Sequence, residues 1–167
     1  MKQVINIILK RDEIIENLRK EYLNDSENVE PHITLVYPFE IKNQSILKKH
    51  IKDSLKSFEL FDISLKGLKK SFKEYYLYLL VDEGKEEIIR LYKMINQGIL
   101  KDFKNPDMPE YIPHLTIGIF SSENQREKAI KEISKIKPFI KKRIDSIQLL
   151  TIDENGIMKS RKDFYFD

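Results

Sequence analysis

Two five-residue stretches of the chain carry the same pattern of reactive side chains. Pro31-His32-Ile33-Thr34-Leu35 and Pro113-His114-Leu115-Thr116-Ile117 both read Pro-His-x-Thr-x, with an aliphatic residue at each x. The chain has only three His and three Thr, and two of each fall in these stretches. In a strand, side chains two apart point to one side. Each His therefore shares a face with its Thr, while Ile33, Leu35, Leu115 and Ile117 face a core. Two such strands set opposite one another build a site of two imidazoles and two hydroxyls. One imidazole can act as base and the other as acid, as transfer at phosphorus requires. The hydroxyls can donate to non-bridging phosphate oxygens and to the charge that develops there. His32 and His114 are the candidate catalytic residues, and Thr34 and Thr116 the candidate substrate contacts.

The elements that must position these strands follow from periodicity. Residues 3–9 read as a buried strand. A helix capped by Asp12 follows, with Ile14, Ile15, Leu18 and Tyr22 as its apolar stripe. After a polar loop from Asn24 to Glu30, His32–Phe39 is the first motif strand. Asn43–Phe58 is a helix with Ile46, Leu47, Ile51, Leu55 and Phe58 on one face, and a strand runs from Phe61 towards Leu68. The second half repeats the order: a strand over Tyr75–Asp82, a helix over Lys85–Phe103, the motif strand His114–Phe120 and a helix over Glu123–Ile136. Strand structure then runs through Phe139–Ile152 and Met158–Phe166, around a turn at Asp153-Glu154-Asn155-Gly156. The segment Lys101–Ile112 is long enough for a lid stiffened by Pro106 and Pro109. These readings give an α+β fold. One bilobal duplicated unit spans 1–167, with lobe halves near 1–70 and 71–167. Two mainly antiparallel sheets face a central cleft, with helices outside.

Composition removes other classes. The 167 residues are 41% hydrophobic and 34% charged, enough apolar content for a core. The absence of Cys excludes disulfide scaffolds, thiolate nucleophiles and zinc-thiolate sites. Five Gly leave no glycine-rich phosphate cradle, and no His-Glu-x-x-His metal motif occurs. No apolar run approaches a membrane span, and Met1–Arg11 reads as a strand rather than a signal peptide, so a cytoplasmic, monomeric protein off the membrane is expected. A net charge of +3 suits transient handling of an anion better than wrapping of duplex nucleic acid.

The paired motifs resemble those of the two-histidine phosphoesterase superfamily, and His32-Ile33-Thr34-Leu35-Val36-Tyr37-Pro38-Phe39 is particularly similar to its 2'-5' RNA ligase-like, cyclic phosphodiesterase branch. The resemblance implies a bilobal fold and chemistry without a metal or other cofactor. It implies as partners RNA ends or small nucleotides bearing 2',3'-cyclic phosphates or 2'-5' phosphodiesters, with reversal giving ligation. It carries the site onto His32, Thr34, His114 and Thr116. Bacterial members often have Arg just after the second motif. Here Gly118-Ile119-Phe120 follows, so that anion contact is missing or comes from elsewhere. Among the flanking aromatics, Tyr37 and Phe120 are candidates to stack a nucleobase, with Phe39 and Tyr111 beside them. Arg11 stands within reach of a phosphate, and His50 is placed on the surface of its helix. The rival from another class is a non-catalytic RNA-end or nucleotide-binding protein.

Overall fold

The computed structural model describes residues 1–24, 29–104 and 110–166. Most of the Asn24–Glu30 loop, and Pro106 and Pro109 of the expected lid, lie outside the described residues. The element order is β1 (Lys2–Ile8), α1 (Glu13–Tyr22), β2 (His32–Phe39), α2 (Gln44–Leu55), β3 (Phe61–Lys70), β4 (Tyr76–Val81), α3 (Lys85–Ile95), a 3-10 turn (Gly98–Leu100), β5 (His114–Ile119), α4 (Glu123–Ile136), β6 (Phe139–Ile144), β7 (Ser146–Ile152) and β8 (Met158–Tyr165). Local chemistry sets the helix starts. Asp12 accepts from the Ile15 amide at 2.9 Å, Asn43 from Ile46 at 3.1 Å and Ser122 from Gln125 at 3.3 Å. The helix expected through Phe103 stops at Ile95. Asn96 caps it, and Gly98, with φ 53°, turns the chain into the left-handed region. That break removes Ile99 from the buried face. Ile14 and Ile46 likewise lie outside, while Ile15, Leu18, Leu47 and Ile51 fill the core.

Two antiparallel four-stranded sheets result, in the orders β2-β1-β7-β8 and β5-β4-β3-β6. Sheet membership does not follow the two halves of the sequence. β3, from the first half, pairs with β4 and β6, while β7 and β8 return to flank β1. The expected strand structure over Phe139–Ile152 divides at Asp145, where the chain passes from one sheet to the other. β6 buries Ile140 and Ile144 on one face, whereas β7 is buried on both faces from Ile147 to Leu150.

The motif strands β2 and β5 are edge strands of different sheets and lie against each other. The helices cross over: α1, which follows β1, packs on β5, and α3, which follows β4, packs on β2. The Asn96 amide nitrogen strengthens the second contact by donating to the Leu35 carbonyl at 3.0 Å and to the Tyr92 carbonyl at 2.9 Å. One continuous apolar core joins both sheets.

Gly118 shows how tightly α1 is seated. A Cβ there would stand 2.7 Å from the Phe120 ring and 3.2 Å from the Tyr22 Cβ. Gly118→Ala should therefore cost about 1–3 kcal/mol by overpacking, read as a lower urea midpoint with an unchanged slope. An unchanged midpoint would show that Phe120 yields freely.

Candidate active site

Each motif strand is built in the same way. Proline supplies no amide proton at the strand start, and its carbonyl takes the last rung of the ladder. Pro31 O accepts from Leu9 N at 2.8 Å, and Pro113 O from Val81 N at 3.2 Å. The residue before each proline is biased towards extended backbone. Its carbonyl accepts from the next histidine: Glu30 O from His32 Nδ1 and Ile112 O from His114 Nδ1, both at 2.7 Å. A carbonyl can only accept, so the proton is on Nδ1 in both neutral rings and Nε2 keeps its lone pair. Among the described residues neither Nε2, nor the hydroxyl of Thr34 or Thr116, has a hydrogen-bond partner. Four groups able to exchange protons with a ligand or hydrogen-bond it are thus left open.

A bulge follows each threonine. On β2, Asn6 pairs with Thr34 and Ile5 with Val36, so Leu35 is the extra residue. On β5, Tyr78 pairs with Thr116 and Leu77 with Gly118, so Ile117 is extra. Each bulge shifts the alternation by one. That shift turns Tyr37, rather than Val36, towards the open face. Val36 joins the core instead.

Beside β2 lies a groove of about 230 Å³, lined among others by Asn6, His32, Thr34, Tyr37, Leu150 and Met158. On the β5 side the Tyr78 ring lies against His114, with centroids 3.9 Å apart. Burial pushes the Tyr78 phenol up to about 12, so it stays protonated. Burial also pushes both imidazoles below their ordinary 6.5, and the bonds to Glu30 and Ile112 oppose this in part. The Arg19 cation adds to the depression of His32, and the His32 charge to that of His114, so the two rings sense one another.

Residues 9–156 match the family model described as the 2'-5' RNA ligase superfamily. The chain belongs to that superfamily. It is 28% identical over 154 residues to a Bacillus licheniformis protein named provisionally as a phosphoesterase, covering 88% of this chain and 86% of the relative. It is 32% identical over 146 residues to a similarly named Geobacillus sp. (strain WCH70) protein, covering 83% and 79%. The fold is similar to that of apo E. coli LigT, with a TM-score of 0.63, 14% identity and coverage of 99% and 98%. It is also similar to LigT complexed with 3'-AMP, with a TM-score of 0.61, 12% identity and coverage of 99% and 97%.

Within this superfamily member the other candidates divide. Tyr37 lines the groove, but Phe120 does not reach it. Its ring packs 6.0 Å from that of Tyr22, on the face of β5 that α1 covers, because the bulge reverses the strand's alternation. Phe39 is core, 5.6 Å from Phe103. Tyr111 stacks on Tyr92 at 3.8 Å and donates to the Thr34 carbonyl at 2.9 Å, so it braces the motif strand. Arg11 pairs with Glu16 at 3.4 Å on the exposed side of α1. His50 is not a free surface group, since its Nε2–H donates to the Ile95 carbonyl at 2.9 Å. Asn6 and Tyr78, which flank the two threonines, were missed. For Tyr78 the signal is alternation, since Tyr76, Tyr78 and Leu80 sit opposite buried Leu77, Leu79 and Val81; β1 is buried on both faces, so Asn6 has no such signal. Among the described residues no group of three or more His, Asp or Glu is placed to hold a metal ion.

The lowered imidazole pKa values make a stability prediction. Below 6.5 the unfolded chain binds protons that the folded rings resist, so stability is full above that pH and is lost as pH falls through it. Urea midpoints should fall from pH 7 to pH 5.5, and less steeply in a His32→Asn/His114→Asn protein. Equal slopes in the two proteins would show that the rings titrate normally in the fold.

Proposed function

We propose that this chain is a phosphoesterase that acts without a metal on 2',3'-cyclic phosphates or 2'-5' phosphodiesters, at RNA ends or in small nucleotides. The observation that carries the reading is the matched pair of Nδ1-anchored histidines on facing edge strands, each with an open threonine hydroxyl two residues on. In hydrolysis, one Nε2 takes a proton from water as its oxygen bonds to phosphorus. The other, protonated, gives its proton to the ribose oxygen as the P–O bond breaks. Thr34 and Thr116 donate to the non-bridging oxygens, where charge grows. With roles exchanged, the same pair runs the reverse, joining step. A site for binding alone would need cations more than two neutral imidazoles. The nucleotide complex of LigT supports a nucleotide phosphate as the ligand class.

Hydrolysis of a 2',3'-cyclic mononucleotide with and without EDTA tests the reading. Turnover should survive the chelator, and His32→Asn and His114→Asn should each reduce it by roughly 10²–10⁴-fold with the fold intact. Thr34→Val and Thr116→Val should each cost about 1–3 kcal/mol of transition-state binding. Loss of activity in EDTA with rescue by a divalent ion, or near wild-type rates in a histidine variant, would refute the mechanism.

The pH profile follows from the same pair. One ring must be neutral and the other protonated in the free enzyme, so kcat/KM should trace a bell. Because burial depresses both rings, the bell should centre on the acid side of 6.5. A rate that climbs steadily from pH 5 to pH 9 would count against it.

A further inference from the structure

The two histidines are anchored alike, but the peptides that anchor them are held differently. Each anchoring carbonyl belongs to a peptide bond that ends on proline, so that peptide has no N–H to fix its plane. Its orientation rests on the carbonyl and on the residue that carries it. At the second motif the carrier is Ile112, whose side chain can form no ion pair. Its neighbour Tyr111 is held by the stack on Tyr92 and the bond to the Thr34 carbonyl. At the first motif the carrier is Glu30. It stands where the groove meets a second cavity of about 280 Å³, and it lines both. Its Oε2 accepts from Arg161 Nη1 at 3.1 Å. Arg161 is fixed in turn on β8, where its Nε and Nη2 donate to Asp163 Oδ1 at 3.0 and 2.8 Å. That same oxygen accepts from Gln148 Nε2 on β7 at 3.1 Å. β8 and β2 are opposite edges of the first sheet, so the pair ties one edge to the segment that leads into the other. From α1, Arg19 Nη2 donates to the Val29 carbonyl at 2.8 Å. The peptide that anchors His32 thus sits beside two arginine contacts.

We propose that Arg161 is a positioning residue for His32. By holding the Glu30 carboxylate it fixes the plane of the Glu30–Pro31 peptide, and with it the carbonyl that keeps the ring proton on Nδ1. β8 thereby completes the first half of the active site without touching the substrate. The consequence for turnover rests on the phosphoesterase reading above; the consequence for the ring does not. Once the carbonyl can turn away, the neutral ring can carry its proton on Nε2 instead, and a protonated Nε2 cannot take a proton from water. The pair contributes little to the fold itself. Its side chains are 35% and 38% exposed, and exposed ion pairs stabilise weakly.

The test reads the ring nitrogens of the three histidines by ¹H–¹⁵N NMR at pH 8, in wild type, Arg161→Met, Arg161→Lys, Glu30→Ala and the Glu30→Ala/Arg161→Met double variant. Thermal melts and hydrolysis of 2',3'-cyclic AMP accompany it. In wild type His32 and His114 should show the proton on Nδ1, and His50, which donates from Nε2 to Ile95, the other tautomer. Arg161→Met and Glu30→Ala should turn His32 alone into a mixture of tautomers, with melts close to wild type, and Arg161→Lys should restore most of the Nδ1 form. In both variants kcat should fall about three- to thirtyfold, a part of the roughly 10²–10⁴-fold that a general acid or base is worth. The double variant should be no worse than the weaker single, because both remove one interaction, and its KM should stay within about twofold of wild type. An unchanged His32 signal in Arg161→Met and Glu30→Ala overturns the inference, whether or not the melts fall. So does a change that His114 and His50 share, or a mixed tautomer with wild-type kcat. A His32-specific tautomer change in a protein that does not hydrolyse the cyclic substrate upholds the positioning and sinks the phosphoesterase reading instead.

Discussion

The site depends on which face of two strands is buried. Ile33 and Leu35 on β2, and Leu115 and Ile117 on β5, are almost wholly withdrawn from solvent. Strand side chains alternate, so burial of these four forces His32, Thr34, His114 and Thr116 to the opposite side. A slip of one residue in either strand would send an imidazole into the core and an isoleucine or leucine into the cleft. The apolar pairs between and after the reactive residues are thus as much a part of the motif as the residues themselves. The crossed packing of α1 on β5 and α3 on β2 holds this arrangement, because each helix covers the back of the motif strand in the other sheet.

Anchoring and burial then act together on the imidazoles. The backbone bond at Nδ1 sets the tautomer and the ring orientation. Withdrawal from water favours the neutral form, the one that can accept a proton at Nε2. The cost is a pair of rings that resist charging. An anionic phosphate arriving between them would offset that cost by favouring a proton on one ring.

The two halves of the site are alike in backbone and unlike in surroundings. Both motifs have the proline start, the anchored histidine and the bulge after threonine. The first opens on a groove lined by Asn6, and the second has a tyrosine ring against its histidine. The polar row from Asn6 through Gln148 to Asp163 belongs wholly to the first sheet, and β7 and β8 bring most of it.

Much of this was legible in the sequence because it is local. The paired Pro-His-x-Thr-x stretches, the caps at Asp12 and Asn43 and the bounds of β2 and α4 all depend on neighbours within a few residues. Alternation then named His32, Thr34, His114 and Thr116 as residues that share faces. What lay beyond reach depends on contacts between distant segments. β3 joins the second sheet and β7 the first because of which edges are free once the motif strands are placed, and no short stretch of chain records that. Phe120 looked like a stacking residue beside the motif. The bulge at Ile117 and the seat offered by Tyr22 turned it to the back of the strand. In the sequence Asn6 is one polar residue within a strand read as buried, and Tyr78 is one tyrosine among eight. Their places beside the two threonines come from strand pairing alone, since hydrogen-bond register between strands is settled only when the whole sheet closes.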